Sequence, residues 1–206
     1  MPDFSLEAAA GGRVVGIDEA GRGPWAGPVV AGAVILDGAR IPSDIAAALD
    51  DSKKLKAAKR ETLFEQLMAA PWARVGIGQA SSGEIDSLNI LQATFLAMRR
   101  AYDALAERAS LALVDGNRPP PLPCPVRTVI KGDGISLSIA AASILAKVTR
   151  DRLMAELALR YPGYGWESNA GYGTAQHQAA LKRLGVTPEH RHSFAPIAAL
   201  VGRPLL

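Results

Sequence analysis

The 206-residue chain reads as an α/β layered protein, a central sheet flanked by helices with a small C-terminal part laid against it. Two observations predict this. Short β-rich apolar runs alternate with helical stretches along most of the length, with no internal repeat. The composition, 49% hydrophobic and 21% charged, is that of a chain that buries a core. The length suits one domain of ordinary size. Within it, residues 1–12 read as a loosely ordered lead-in, about 13–160 as the core, and about 161–206 as a C-terminal segment.

In order along the chain, "RVVGI" and "PVVAGAVIL" read as neighbouring strands separated by the turn-forming "DEAGRGP". "DSKKLKAAKRETLFEQLMAA" reads as a helix, with Ser52 as its N-cap, apolar Leu63, Phe64, Leu67 and Met68 on one side, and Pro71 just beyond. "ARVGIGQA" is a short strand. A helix follows from Ser81, which forms a capping box with Glu84; its stripe runs through Ile85, Leu88, Leu91, Gln92, Phe95, Tyr102 and Leu105. "LALVDG" and "VRTVIKGDG" are strands on either side of the proline-stiffened loop "NRPPPLPCP". The alanine-rich run from about Ser138 to Arg160 is a long helix that stops before "YPGYG". A Gly-rich loop, a short helix and an apolar segment complete the chain.

Several function classes are disfavoured. The single cysteine, Cys124, can form no internal disulfide or thiolate metal site and reads as a small apolar filler. The N-terminus has acidic residues where a signal peptide needs basic ones, and no apolar run approaches the roughly 20 residues of a membrane span, so a cytoplasmic, membrane-free monomer is expected. Neither G-x-x-x-x-G-K-[ST] nor G-x-G-x-x-G occurs, which disfavours a nucleotide-binding enzyme. His177, His190 and His192 are too scattered to suggest zinc. The net charge of +3 permits an anionic partner without requiring one.

The chemistry lies in three strand ends. "VVGIDE", "LALVDG" and "TVIKGDG" bring Asp18, Glu19, Asp115 and Asp133 to the ends of apolar runs. One such acid alone reads as a turn former or cap. Several gathered together repel one another and resist burial, unless water, a positive group or a metal ion compensates them. Oxygen-only donors suit Mg²⁺ or Mn²⁺, and two such ions can carry phosphodiester cleavage. Consecutive strand residues face opposite sides, so Asp18 and Glu19 share a site only if the strand breaks between or just after them. Gly21, Arg22 and Gly23 form a turn whose backbone is free to approach a sugar hydroxyl. Lys53, Lys54, Lys56, Lys59 and Arg60 form a cationic run, of which one or two are expected to meet phosphate. Asp151, four residues after Lys147 on a helix, reads as an ordinary surface pair and is left out of the site.

Taken together, "GIDEAGRGPWAGPVVAGAVIL", "DSKKL", "LVDGN", "IKGDGISLSIAAASILAKVTRD", "AGYGTAQH" and "HRHSF" resemble the bacterial ribonuclease HII family over about residues 13–196. The resemblance implies a ribonuclease H-like fold, with a mixed central sheet flanked by helices and a small C-terminal helical segment. It implies an endonuclease that cuts the RNA strand of RNA/DNA hybrids and duplex DNA containing single ribonucleotides. By motif, Asp18, Glu19, Asp115 and Asp133 are the implied metal-binding acids, with Mg²⁺ or Mn²⁺ as cofactor. Gly21, Arg22 and Gly23 are the implied readers of the 2′-hydroxyl, and Tyr172 packs on the next sugar; Lys53 and Lys54 are the candidate phosphate contacts. The family pattern often has a lysine before "GY", where this chain has Ala170, so one phosphate contact is missing or supplied elsewhere. His190, Arg191 and Ser193 fall in a stretch expected to anchor the C-terminal segment.

Overall fold

The computed structural model describes residues 1–202. Among them, five strands, β1 (Val14–Ala20), β2 (Val29–Leu36), β3 (Ala73–Ala80), β4 (Leu111–Asp115) and β5 (Val126–Val129), form one sheet in the order β3-β2-β1-β4-β5. β1 pairs antiparallel with β2 and β2 with β3, whereas β1–β4 and β4–β5 are parallel. The expected mixed sheet flanked by helices is therefore present. Because β1, β4 and β5 run the same way, their C-terminal ends share one edge, the edge where α/β sheets place ligands.

The helices are α1 (Ser5–Ala10), α2 (Ser43–Ala48), α3 (Ala57–Ala69), α4 (Ser82–Leu88), α5 (Ile90–Asp103), α6 (Leu137–Arg160), α7 (Trp166–Asn169), α8 (Ala175–Leu184) and α9 (Ala195–Val201). α6 packs on β1 and β2, and α5 on β3 and β2. Both helices sit very close to the sheet because glycines face them. A Cβ on Gly16 would lie 2.1 Å from the Ser138 carbonyl carbon, and one on Gly32 would lie 2.4 Å from the Ala142 oxygen. Gly76 and Gly78 make the same room for Ala101 and Ala97 of α5. Ala140, Ala141 and Ala142 are fully buried on α6, so small residues from both partners bring helix and sheet backbones together.

Four local expectations are corrected. Ser52 does not cap a helix: α3 begins only at Ala57, and the buried Ser52 accepts a 2.7 Å hydrogen bond from Ser143 of α6. Leu63, Phe64 and Leu67 are buried as expected, but Met68 is 46% exposed. The Ser81–Glu84 capping box is present, yet the helix it starts ends at Leu88. Asn89 adopts φ 68° and caps a second helix through Leu91 N–H and Gln92 N–H, resetting the register. α5 consequently buries Ala93, Ala97, Met98, Ala101 and Tyr102, while Leu88 is exposed.

The first dozen residues, read as a loose lead-in, are tied down instead. Asp3 bridges to Ser136, and Glu7 of α1 is buried, accepting hydrogen bonds from Ser136 Oγ, Ser138 Oγ and Ser138 N–H at the start of α6. A carboxylate suits that end of a helix. In the C-terminal segment, Tyr164, Trp166, Leu181 and Ile197 pack with Met154 of α6. Its residues 203–206 lie outside the described residues. His177 and His190 are both fully buried there.

Two outcomes follow. Gly16→Ala is expected to lose about 3 kcal/mol of stability, since its methyl meets backbone that cannot yield; a circular-dichroism melt should drop by about 10 °C. Burial, with His177 beside it, pushes His190 down to about 4, whereas an unfolded histidine takes a proton at about 6.5. Between these values the unfolded chain binds more protons, so the contribution of His190, of order 3 kcal/mol, is complete above pH 6.5 and lost as pH falls toward 4. Melting curves from pH 7.5 to 4.5 should therefore be steeper for the parent chain than for His190→Gln.

Candidate active site

The β1–β4 ladder ends at Ile17–Val114, while β1 continues to Ala20 paired with β2 alone. The two parallel strands thus part where their acids begin. Asp18 and Glu19 lie opposite Gly32 and Ala31 with no break between them; β1 ends one residue later, at Ala20, so of the two expected breaks it is the one just after them that occurs. Both nevertheless line one cavity of ≈ 300 Å³, together with Gly21, Arg22, Gly23, Lys53 and Tyr172. Asp115 ends β4 and accepts a 2.6 Å hydrogen bond from Gly132 N–H. That bond fastens the 3-10 turn Gly132–Gly134 carrying buried Asp133, just after β5. Lys131 enters the turn at φ 56°.

The acids sense one another. Burial, then Glu19 and Asp115, raise Asp18 well above the usual carboxylate range, with a smaller push from Asp133. Burial also raises Glu19, offset by Arg22, whose guanidinium lies 3.3 Å from Glu19 Oε1. Asp133 is raised by burial, then by Asp51 and Asp115. Lys53 is the cation facing this group: burial alone would lower its ammonium, but Asp51, Asp18, Asp133 and Asp115 together hold it above its usual value. Lys54 pairs with Asp50 at 3.1 Å, and its hydrogen bond there, with smaller pushes from Asp51 and Asp133, raises its proton affinity. Arg60 Nη1 donates to the carbonyls of Ser52 and Leu55.

Among the described residues, no three Asp, Glu, His or Cys side chains stand arranged as a ready ion-holding cluster. The carboxylates are occupied otherwise: Asp18 Oδ1 accepts from Glu19 N–H at 2.7 Å, Asp115 from Gly132 N–H, and Glu19 from Arg22.

The Gly21–Gly23 turn is shaped from beneath by two buried arginines that sequence reasoning did not place at the site. Arg191 donates to the carbonyls of Gly21, Arg22, Gly27 and Pro28; Arg150 of α6 donates to those of Pro28, Ala26 and Ala170. Since C=O and N–H point opposite ways across a planar trans peptide, drawing the Gly21 and Arg22 carbonyls toward Arg191 turns Arg22 N–H and Gly23 N–H away from it. Gly21, at φ 93°, has a second reason to be glycine: a Cβ there would lie 1.9 Å from Arg150 Nε. Gly23 faces Tyr172, whose Cε1 would be 3.5 Å from an added Cβ. Burial, and for Arg191 also Arg150, lowers the two guanidinium groups to about 10 and about 9, so both stay charged at neutral pH.

Three further residues went unassigned in the sequence. Asp51 faces Asp133 but lay hidden in a run read as cationic. Lys147 and Ser143, one and two helical turns before Arg150, also line the cavity. The spacing 143, 147, 150 on one helix face was the available signal. Lys147 pairs with Asp151 at 2.7 Å, the surface pair expected. A larger cavity of ≈ 600 Å³ opens at the far end of the strands near Arg13, Arg40 and Arg74; its acids are Asp37 and Glu107, and Glu107 is paired with Arg13 and Arg74.

A family model described as Ribonuclease HII matches residues 15–197. A ribonuclease HII of Rhodospirillum rubrum is 64% identical over 206 residues, covering 100% of this chain and 94% of that one. One of Paramagnetospirillum magneticum is 66% identical, covering 96% and 98%. The crystal structure of the ribonuclease H2 from Pyrococcus horikoshii OT3 superposes with a TM-score of 0.75 at 27% identity, over 92% of this chain and 97% of that one.

The repulsion at Asp18 predicts a gain when it is removed. In chelator at pH 7, Asp18→Asn keeps the acceptor for Glu19 N–H and discharges a buried carboxylate; its melting temperature should rise by a few degrees, about 1 kcal/mol. An unchanged or lower value would place Asp18 in a compensated environment.

Proposed function

This chain belongs to the ribonuclease HII family, divalent-metal-dependent nucleases of the RNase H type that act on RNA/DNA hybrids, and from that premise we propose a finer activity. It cuts duplex DNA on the 5′ side of a single embedded ribonucleotide, leaving 5′-phosphate and 3′-hydroxyl ends. The supporting observation is the meeting, at one strand edge, of mutually repelling buried acids with a turn whose Arg22 and Gly23 N–H groups point away from their arginine anchor.

Asp18, Glu19, Asp115 and Asp133 would hold two Mg²⁺ or Mn²⁺ ions. The donor set fits: it is all oxygen, partly desolvated, and carries more negative charge than Lys53 and Arg22 neutralise. The N–H bonds of Asp18 and Asp115 fall on Oδ1 alone, so the second carboxylate oxygen of each would be the one to face an ion. Such ions, when bound, activate water and stabilise the departing 3′-oxygen.

The remaining work falls to the chain itself. Arg22 N–H and Gly23 N–H supply donors that a 2′-hydroxyl accepts from, a group DNA lacks. Tyr172, beside Gly23 and 49% exposed, offers its ring to the adjoining sugar. Lys53 presents a cation to the phosphates, and Lys54 and Lys147, held by Asp50 and Asp151, contribute less. In this division of labour residues of about 13–160 carry the chemistry, and those from about 161 onward complete substrate contact.

The test is a duplex DNA with one ribonucleotide, incubated with Mg²⁺ or Mn²⁺ beside an all-DNA duplex. Cleavage 5′ of the ribonucleotide alone is expected, with loss on chelation; an intact strand under both metals overturns the proposal. Asp115→Asn should lower kcat by at least about a thousandfold with the far-ultraviolet spectrum unchanged. Normal cutting by that variant would remove Asp115 from the site.

A further inference from the structure

Tyr172 has little to hold its ring: it is 49% exposed and follows two left-handed residues, Ala170 at φ 48° and Gly171 at φ 81°. Its backbone is held instead. The Tyr172 carbonyl accepts from Thr174 N–H at 2.8 Å and bonds His177 Nδ1 at 2.9 Å. His177 Nε2 in turn lies 3.1 Å from Trp166 Nε1 and 3.0 Å from His190 Nε2, while His190 Nδ1 lies 2.9 Å from Thr187 N.

These partners fix every proton. A carbonyl only accepts, so His177 Nδ1 carries the hydrogen. An indole N–H only donates, so His177 Nε2 is bare and accepts from both Trp166 and His190. His190 therefore carries its proton on Nε2, which leaves Nδ1 to accept from Thr187 N–H. Each ring is neutral, with one donor and one acceptor site, both used. A chain of hydrogen bonds runs from Thr187 through both histidines and ends on the Tyr172 carbonyl.

That chain also joins the two loops at the cavity. His190 bridges to Ala26 by backbone pairing, and Arg191 N–H donates to the Trp25 carbonyl at 2.8 Å, so residues 187–191 hold the stretch that follows Gly23. The His190–His177 bond ties this stretch to the loop bearing Tyr172. We propose that His177 is a positioning residue: its Nδ1–H, oriented by His190 and Trp166, fixes the Tyr172 carbonyl and so sets the ring beside Gly23 for the substrate sugar. The inference rests on the reading of Tyr172 as a substrate contact. A ring ordered before binding spares the complex the entropy of ordering it, so the effect falls on substrate affinity more than on chemistry.

The experiment measures KM and kcat on the single-ribonucleotide duplex for the parent chain, His177→Asn, His177→Gln, Tyr172→Ala and the Tyr172→Ala/His177→Gln double variant. The amide nitrogen of Asn can take the place of Nδ1, whereas that of Gln takes the place of Nε2. His177→Gln is expected to raise KM about tenfold with kcat within about twofold, and His177→Asn to restore most of the loss. In the Tyr172→Ala background His177→Gln should add nothing to KM, although it still lowers the melting temperature. An equal rise in KM in both backgrounds overturns the inference, because the effect then does not pass through Tyr172. So does parent-like KM for His177→Gln alongside an impaired Tyr172→Ala. A Tyr172→Ala protein with parent-like KM overturns the reading of Tyr172 itself and the inference with it. Should His177→Gln fail to fold, ¹⁵N spectra of histidine-labelled parent protein decide: Nδ1–H on His177 and Nε2–H on His190 are expected, and the opposite tautomers overturn the proposal.

Discussion

α6 can lie on the sheet only because Gly16 and Gly32 present no side chains to it, and this close seat governs the geometry of everything at the strand edge. A methyl group at either position would stand within the helix backbone, so the helix would have to lift. Lifting would move Ser143, Lys147 and Arg150 together, since one rigid helix carries all three. Ser143 holds the segment with Ser52 and Lys53; Arg150 holds the loops around Pro28 and Ala170. The start of the same helix is fastened by Glu7, which accepts from Ser136 and Ser138. The precision needed near Asp18 is thus supplied by backbone-to-backbone packing rather than by contacts among the acids themselves, which repel one another.

Much of this architecture is legible in the sequence because its cause is local. Apolar runs of strand length, the Ser81–Glu84 box and the alanine-rich helix each announce themselves within a few residues, and the carboxylates at three strand ends stand out against apolar neighbours. What escaped depends on distance. Asn89 breaks a helix by taking a left-handed conformation, which its neighbours do not disclose and its own side chain then exploits as a cap. Ser52 had the right chemistry for a cap, but its partner is Ser143, 91 residues away. Asp51 faces Asp133 across a loop whose evident character is its lysines. Gly21 is singled out as a turn glycine, and part of the reason no side chain fits there, the Arg150 side chain beneath it, comes from the other half of the chain.

The histidines illustrate the same limit from the other side. Their positions along the chain do not suggest zinc, and His190, expected to help anchor the C-terminal segment, is buried. Neither spacing nor composition shows that His177 and His190 meet edge to edge, or that Trp166 dictates which nitrogen is bare. Tautomer state is set by partners brought together only after folding.

Arg150 and Arg191 raise the question of why two fully buried guanidinium groups have no carboxylate partner among the described residues. Seven hydrogen bonds to carbonyl oxygens satisfy their N–H groups, three from Arg150 and four from Arg191. Carbonyl dipoles compensate desolvation without cancelling net charge, so a positive potential persists beneath the Gly21–Gly23 turn. A carboxylate in their place would bind the guanidinium groups more tightly and add a further negative charge close to Asp18 and Glu19. It would also free the Gly21 and Arg22 carbonyls to rotate, and with them the N–H groups on the other side of each peptide. Holding the turn by its carbonyls therefore does two things at once: it fixes the backbone donors and leaves two cations unneutralised where a polyanion approaches.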